Sequence, residues 1–480
     1  MKLTRKKMLE SMYQRDAAAN GRFLIAVRST GIFCLPSCPA RKPLAGNVTF
    51  YATPGEAMNA GFRACRRCRP EHFYRGYDPD LAELEGLLEL VRTEPSAFRS
   101  VQDLAARSGS GVTRLNQLFR HYLQATPANY MTMLRVRAAR ALLADMPASE
   151  AGFSAGFDSG SAFNENFRRL TGMSPGAYRR LGSKRSFELH LPDDFLPEYP
   201  RQMLARDPDS VTERVAGLTL IKAFSNDGRA ARLELMPRGN RLRCEMLSRE
   251  PVDPLLMRAA HEIAVRTLGL ASDPLPFRRH VERHPELAPL IAGRPTMRIP
   301  QSADAFEGVA WAVIGQQINL RFAYILRHSL IELCGLQAGD GFIAHPDSAR
   351  VAALDYTDLT RRKFSRQKAA YLIDFARLIA SGEFALQGLQ ALPAIQAEKK
   401  LREVRGIGPW SANYIMLRAL GFADCVPIGD TGLVTALELY FQLDHRPNAV
   451  ETHALMQKFA PHRSLATYHL WRSLGDIPGP

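Results

Sequence analysis

The sequence predicts a multidomain α+β protein. A small cysteine-stapled α/β module comes first, then an all-α segment with two helix-turn-helix patterns, then an α+β region in which an antiparallel sheet precedes a helical core. Three observations predict it. Four of the seven cysteines, Cys34, Cys38, Cys65 and Cys68, fall within 35 residues of one another. Residues 79–181 carry helical apolar periodicity throughout. From Ser186 the period switches to two, and after Pro251 it returns to helical through to the end. A chain of 480 residues has room for about three domains, each with its own core. No apolar run approaches the roughly 18 residues a membrane span needs. The basic stretch Met1 to Glu10 lacks the apolar segment of a secretory signal, so a cytoplasmic location and no membrane partner are expected.

The formal charge is +15 and unevenly spread. Residues 1–183 hold 26 Lys/Arg against 15 Asp/Glu, and the remainder 37 against 33. A basic excess concentrated in one part is what a polyanion binder shows, although a solubilising surface would look the same.

The first segment, residues 1–78, is built on Cys34-x3-Cys38, a gap of 26 residues, and Cys65-x2-Cys68. Two short-range thiolate pairs supply the four soft ligands of a tetrahedral zinc site, and in a non-oxidising compartment such pairs favour metal over disulfide. The isolated Cys244, Cys334 and Cys425 read as small buried hydrophobes. Spacing alone leaves open whether the zinc is only a staple. The residues around the ligands, Arg28-Ser-Thr-Gly-Ile-Phe33-Cys34-x-Pro36-Ser37-Cys38, Asn47-Val48-x-Phe50 and Gly61-Phe62-Arg63-x-Cys65-x-x-Cys68, resemble the N-terminal domain of the bacterial adaptive-response (Ada) protein. That resemblance implies that zinc-bound Cys34 accepts a methyl group from a DNA methyl phosphotriester, with Cys38, Cys65 and Cys68 as co-ligands. Methylating a thiolate removes a negative charge, which would strengthen the hold on DNA.

In residues 79–182, Val101 to Gly109 followed by Val112-x-x-Leu115-x-x-Leu118-Phe119 has helix-turn-helix patterning. The second helix offers Arg114, Asn116, Gln117 and Arg120 to a major groove. A second unit runs from Glu150 through Gly156-Phe157 to Ser161-x-Phe163-x-x-x-Phe167-Arg168-Arg169. With the ending Gly172-x-Ser174-Pro175-x-x-Tyr178-Arg179, the segment resembles the DNA-binding domain of AraC-family regulators. Gly152 stands where that family has Ala, at an expected cost of about 1 kcal/mol to its helix. The stretch Gly182-Ser-Lys-Arg-Ser186 reads as a flexible linker.

Residues 186–295 begin with a sheet. Phe187, Leu189 and Leu191 alternate with polar neighbours, as do Leu233-Leu235 and Leu242-Cys244-Met246. Asn226-Asp227-Gly228 and Arg238-Gly239-Asn240 are hairpin signals, so an antiparallel sheet is expected across 186–250. In residues 296–480, Gly406-Ile407-Gly408-Pro409-Trp410 leads into a helix that reads through Leu420. Two glycines in so tight a bend can expose backbone amides to a phosphate, and Val426-Pro427-x-Gly429-Asp430 sets a carboxylate 22 residues past Gly408. Gly315-Gln316-Gln317-Ile318 is expected within a long helix, and Pro461-x-Arg463-Ser464 to Leu470-Trp471 closes the pattern. Together these resemble helix-hairpin-helix DNA glycosylases, and residues 186–478 resemble 3-methyladenine DNA glycosylase II (AlkA-like).

This resemblance implies hydrolytic release of alkylated bases. Asp430 would stabilise positive charge growing on the sugar, Trp410, Tyr414 and Trp471 would line the base pocket, and Gln317 would fill the vacated stack. Gly406 and Gly408 would grip the DNA backbone. Trp410 stands where strand-cleaving relatives carry a Schiff-base lysine, so an abasic-site product is expected. Cysteines for an iron–sulfur cluster are missing, and so is any Pro-Cys-His site for reversing O6-alkylguanine. Thr431 follows Asp430 where some relatives have an aromatic, which implies a wider or differently selective pocket. The expected partners are alkylated double-stranded DNA, a promoter site and RNA polymerase, with the protein a monomer. A rival reading makes the chain a regulator with an inactive glycosylase-like appendage, against which an intact Asp430 and hairpin argue. Asp430 can also be a helix N-cap, and Tyr414 and Trp471 can be ordinary core aromatics.

Overall fold

A computed structural model describes residues 3–16, 19–248 and 251–475. The chain divides near Leu90 into two compact units. In the first, α1 (Arg5–Gln14) precedes strands β1 (Leu24–Val27), β2 (Ile32–Cys34) and β3 (Val48–Tyr51), helix α2 (Pro54–Asn59), strand β4 (Arg63–Ala64) and helix α3 (Pro70–Tyr74). The sheet order is β3-β1-β2-β4, antiparallel except for β2 beside β4. Phe23, Ile25 and Val48 pack on one side with Met12, while Leu24, Ala26 and Phe33 pack on the other with Ala57, so small strands bury both faces. The pairing of β2 with β4 brings the ends of the two cysteine segments together.

Helix α4 (Pro79–Thr93) is followed by α5 (Val101–Ser108), α6 (Val112–Leu123), α7 (Pro127–Leu142), α8 (Ala148–Ser154), α9 (Gly160–Thr171) and α10 (Pro175–Arg179). Each helix-turn-helix has its local signals in place. Ser100 and Asp103 form a capping box on α5, Gly109 ends it at φ 69°, and Ser159 caps α9. The pairs α5–α6 and α8–α9 are the two expected units. Gly152 does more than weaken α8, because a Cβ there would lie 2.6 Å from the Phe163 ring, so glycine is what lets α8 and α9 pack this closely.

The second sheet follows, with β5 (Ser186–His190), α11 (Glu198–Leu204), β6 (Glu213–Ala216), β7 (Thr219–Asn226), β8 (Arg229–Arg238) and β9 (Arg241–Leu247). Its order is β5-β9-β8-β7-β6, antiparallel throughout. The two expected hairpins are present, with Asp227, Gly228 and Gly239 at positive φ. Residues 249 and 250, the end of the expected sheet span, lie outside the described residues.

The flexible linker expected at 182–186 is instead tied down at both ends, with residues 183–185 exposed between them. Gly182, at φ 99°, sits so close to Pro254 that a Cβ would come within 2.5 Å of its nitrogen. The Arg185 carbonyl accepts from the Met246 amide at 2.8 Å, and the His190 amide donates to the Gly172 carbonyl at 2.7 Å. The reason is hydrophobic. The inward residues of β5, β8 and β9, the helix α12 (Pro254–Thr267), Phe163 and Phe167 of the second helix-turn-helix, and Tyr178 of α10 form one continuous core. His261 of α12 is buried in it, hydrogen-bonded at Nε2 to the Thr171 carbonyl at 2.7 Å.

Helices α13 (Leu275–Glu282), α14 (Ala305–Ile314) and α15 (Leu320–Cys334) begin the helical core. A hairpin of β10 (Leu336–Gly339) and β11 (Phe342–Ala344) then interrupts the helical pattern that periodicity implied for this part of the chain. Its turn, Asp340-Gly341, has positive φ at both residues, and Ala338, Phe342 and Ala344 pack on Ala223 of the sheet. The remaining helices are α16 (Ser348–Ala352), α17 (Tyr356–Thr360), α18 (Arg366–Ala380), α19 (Ala394–Glu403), α20 (Pro409–Ile415), α21 (Thr431–Tyr440), α22 (Ala449–Gln457) and α23 (Arg463–Ser473). Buried charges join the sheet to this core. Lys222 pairs with Glu213 and Glu307, and Arg327 with the same two carboxylates. Burial pushes the Glu307 carboxyl up, but Lys222 and Arg327 outweigh it and hold it below its usual range. Among the described residues no helix is long and apolar enough to cross a membrane.

Candidate functional site

Two sites take shape, one in each unit. In the first, Cys34 ends β2, Cys38 follows one turn later, and Cys65 and Cys68 lie just past β4. Their four sulfurs fall within 4.8 Å of one another. A tetrahedral zinc with Zn–S bonds of about 2.3 Å sets its sulfurs roughly 3.8 Å apart, so the donor set fits the metal. Charge crowding supports the fit. Hydrogen bonds from Cys34 and Cys68 pull the Cys38 thiol down to about 2, while the hydrogen bond with Cys38 pushes Cys34 far up. With Cys38 ionised, Cys34 joins it as a thiolate only with a cation among the sulfurs. Cys38 and Cys65 are buried; Cys34 and Cys68 keep some exposure. Lys42 donates to the Pro36 and Cys38 carbonyls at 3.1 and 2.9 Å, fixing the loop and placing a positive charge beside the cluster.

On α6, the exposed Gln117 and Arg120 and the half-buried Arg114 and Asn116 lie opposite Leu115, Leu118 and Phe119, which are buried. Asn116 turns back to donate to the Val112 carbonyl at 3.0 Å.

The second site is built around Asp430. It is the N-cap of α21, its Oδ1 accepting from the Leu433 amide at 2.8 Å. The same oxygen accepts from the Trp471 indole at 2.8 Å, and Oδ2 from the Trp410 indole at 3.0 Å. Two indoles from separate helices thus hold a half-exposed carboxylate. The loop carrying it is pinned: the Val426 amide donates to Asn413 Oδ1, and Arg463 grips Asp424 through two 2.7 Å contacts. Trp410 stacks on Tyr414 with ring centroids 5.3 Å apart, and Tyr414 meets Trp471 at 5.8 Å. The structure therefore brings together Asp430, Trp410, Tyr414 and Trp471. Burial raises the Tyr414 hydroxyl above its ordinary range.

The bend before α20 runs through Gly406, at φ 90°, where a Cβ would fall 2.2 Å from the Tyr371 ring. Gly408 caps α20 with no side chain in the way and faces open space. Gln316 fastens the bend, donating to the Gly406 carbonyl and the Ser411 hydroxyl, both at 2.9 Å.

The expected long helix through Gly315–Ile318 is not formed. Helix α14 stops at Ile314, and Asn319 caps α15 through its Oδ1, which accepts from Phe322 at 2.9 Å. A strong cap restarts the helix, so the four residues between become a turn with exposed Gln317 at φ 54°. Sequence reasoning missed Trp311, whose indole donates to the Tyr414 hydroxyl at 2.9 Å. It also missed Gln316 as the fastener, Tyr371 beneath Gly406, and Lys368, which donates to the Ile314 carbonyl and is pushed down to about 8 by burial. The adjacent pair of glutamines was a usable signal for Gln316. The others had none.

Three family models match. Residues 7–71 match the metal binding domain of Ada, 104–181 a helix-turn-helix domain, and 310–462 the HhH-GPD superfamily base excision DNA repair protein. A probable bifunctional transcriptional activator/DNA repair enzyme AlkA of Mycobacterium tuberculosis is 28% identical over 97% of this chain and 95% of that protein. A DNA-3-methyladenine glycosylase of Bacillus subtilis is 38% identical over 37% of this chain and 60% of that protein. A 3-methyladenine DNA-glycosylase from Archaeoglobus fulgidus shares the fold over 61% of this chain and 99% of its own, with TM-score 0.53 and 20% identity. The chain carries an Ada metal-binding domain, a helix-turn-helix domain and an HhH-GPD base excision domain in that order, and is homologous to the bifunctional AlkA/Ada proteins.

Proposed function

We propose that the chain repairs alkylated DNA in two ways and couples this to transcriptional control. Its C-terminal half excises bases of the 3-methyladenine type by hydrolysis, and Cys34 accepts a methyl group from a backbone phosphotriester. The observation that carries the excision reading is the carboxylate of Asp430, held by two indole N–H groups beside a stacked aromatic wall.

A base must leave the duplex to be excised, at a cost of a few kcal/mol. Gly406 and Gly408 give the backbone amides access to a phosphate, and exposed Gln317, at the tip of its turn, is suited to fill the gap left in the stack. A ring-alkylated base is already cationic, so the C–N electron pair passes to it readily and it departs neutral. The sugar is left electron-poor, and the Asp430 carboxylate stabilises that charge and orients the attacking water. Trp410, Tyr414 and Trp471 supply electron-rich faces for the cationic base. With no lysine at position 410, the product is an abasic site.

In the first unit, Cys34, Cys38, Cys65 and Cys68 would hold zinc, which when bound keeps the thiols deprotonated at neutral pH. A Cys34 sulfur lone pair attacks the methyl carbon, the C–O bond breaks, and the phosphodiester leaves as an anion. A methylated phosphate carries no charge to repel the thiolate. Regulation would follow from tighter DNA binding, with Arg114, Asn116, Gln117 and Arg120 on the first recognition helix reading a promoter.

The test uses full-length protein on methylated duplex DNA. Wild type should leave abasic sites, and Asp430→Asn should release base at least about a hundredfold more slowly. Equal release by the two proteins would overturn the assignment of Asp430. Mass spectrometry of the same protein should find one added methyl on Cys34. A methyl on another cysteine, or none, would remove the acceptor role.

A further inference from the structure

A cavity of about 170 Å³ lies between the five-stranded sheet and the helical core. Trp311, Tyr324 and Tyr414 line it, and Tyr414 also stacks on Trp410, whose indole holds Asp430. Two aromatic rings, Tyr414 and Trp410, therefore stand between the cavity and the carboxylate. Three polar atoms of lining residues are buried without a hydrogen-bond partner: Thr267 Oγ1, Arg327 Nη1 and Arg418 Nη1. Arg327 is otherwise occupied by Glu213 and Glu307. Arg418 is different. It is 8% exposed, its carbonyl accepts from the Ser302 amide at 3.1 Å, its guanidinium lies over the face of Tyr468 at 5.8 Å, and its Nη1 has no hydrogen-bond partner. A guanidinium nitrogen buried without an acceptor is expensive to keep, and such groups in folded proteins call for a partner from outside the fold.

We propose that Arg418 and Thr267 determine base specificity by hydrogen-bonding a carbonyl oxygen of the everted base, an inference that rests on the glycosylase reading above. Guanidinium and hydroxyl both offer donors. A ring carbonyl answers them, whereas an exocyclic amine would set donor against donor. Alkylated guanine presents a carbonyl at the position where alkylated adenine presents an amine. As the glycosidic electron pair moves into the departing ring, density grows on that carbonyl, and the contact strengthens in the transition state.

The experiment measures the bases released from methylated duplex by full-length protein. For both Arg418→Met and Thr267→Val, the ratio of 7-methylguanine to 3-methyladenine should fall about tenfold, and Arg418→Lys should restore part of it. A ratio within twofold of wild type in both variants would mean that the cavity holds only water, and overturns the proposal. Should Arg418→Met fail to fold, thermal shifts of the wild type with each free base decide the question: stronger stabilisation by 7-methylguanine supports the pocket, and equal stabilisation sinks it. If wild type releases neither base, the parent reading fails, and the free-base shifts still decide whether the cavity prefers a carbonyl.

Discussion

Asp430 combines two uses of a carboxylate. As an N-cap it saturates a helix amide, and as a half-exposed group between Trp410 and Trp471 it presents negative charge to solvent. A hydrogen bond to a charged group is worth about 1.5–3 kcal/mol. Trp471→Phe keeps the ring and deletes one donor, so kcat for base release should drop roughly tenfold to a hundredfold, with an unchanged melting temperature separating this from misfolding. The residues themselves were legible in the sequence because chemistry restricts them: four cysteines in two short pairs, and an aspartate after a glycine-flanked bend. Their partners were not. Nothing in the pattern around Trp311 distinguishes it from an ordinary core residue, because its role depends on Tyr414, about a hundred residues away.

At the scale of elements, helices and hairpins with strong local signals formed where periodicity and caps put them. The failures came where a cap or a neighbour overruled periodicity. Asn319 ended the expected helix around Gln317, and Asp340-Gly341 turned a strand pair that helical periodicity hid. The bend at Gly406 shows the reverse case, in which a local signal was right for a reason only packing reveals. Its φ of 90° already favours glycine, and the Tyr371 ring leaves no room for a Cβ. Gly406→Ala should therefore distort the bend and weaken binding to an abasic-site duplex at least about tenfold, read by fluorescence anisotropy. Retained affinity would show that the bend does not contact DNA.

Across the whole molecule, the second helix-turn-helix and the glycosylase sheet share one core, with His261 at its centre. Burial, with the Arg140 charge adding to it, lowers that imidazole from 6.5 to about 4. The unfolded chain thus binds a proton that the folded chain refuses, so this side chain's contribution is present above pH 6.5 and is lost as pH falls toward 4. Between pH 7 and pH 5 the loss is about 2 kcal/mol. Denaturant unfolding should show a smaller difference between these pH values in His261→Gln, and an equal difference would remove His261 as the cause.

What the sequence by itself determined is the order of the modules and their chemistry, because metal ligands, turns and caps act over a few residues. It placed a flexible joint at 182–186 because small polar residues look alike whether solvated or packed. Only the tertiary structure decided that a core closes across this joint, since apolar faces nearly a hundred residues apart, such as Phe167 and Ile263, gain by leaving water together.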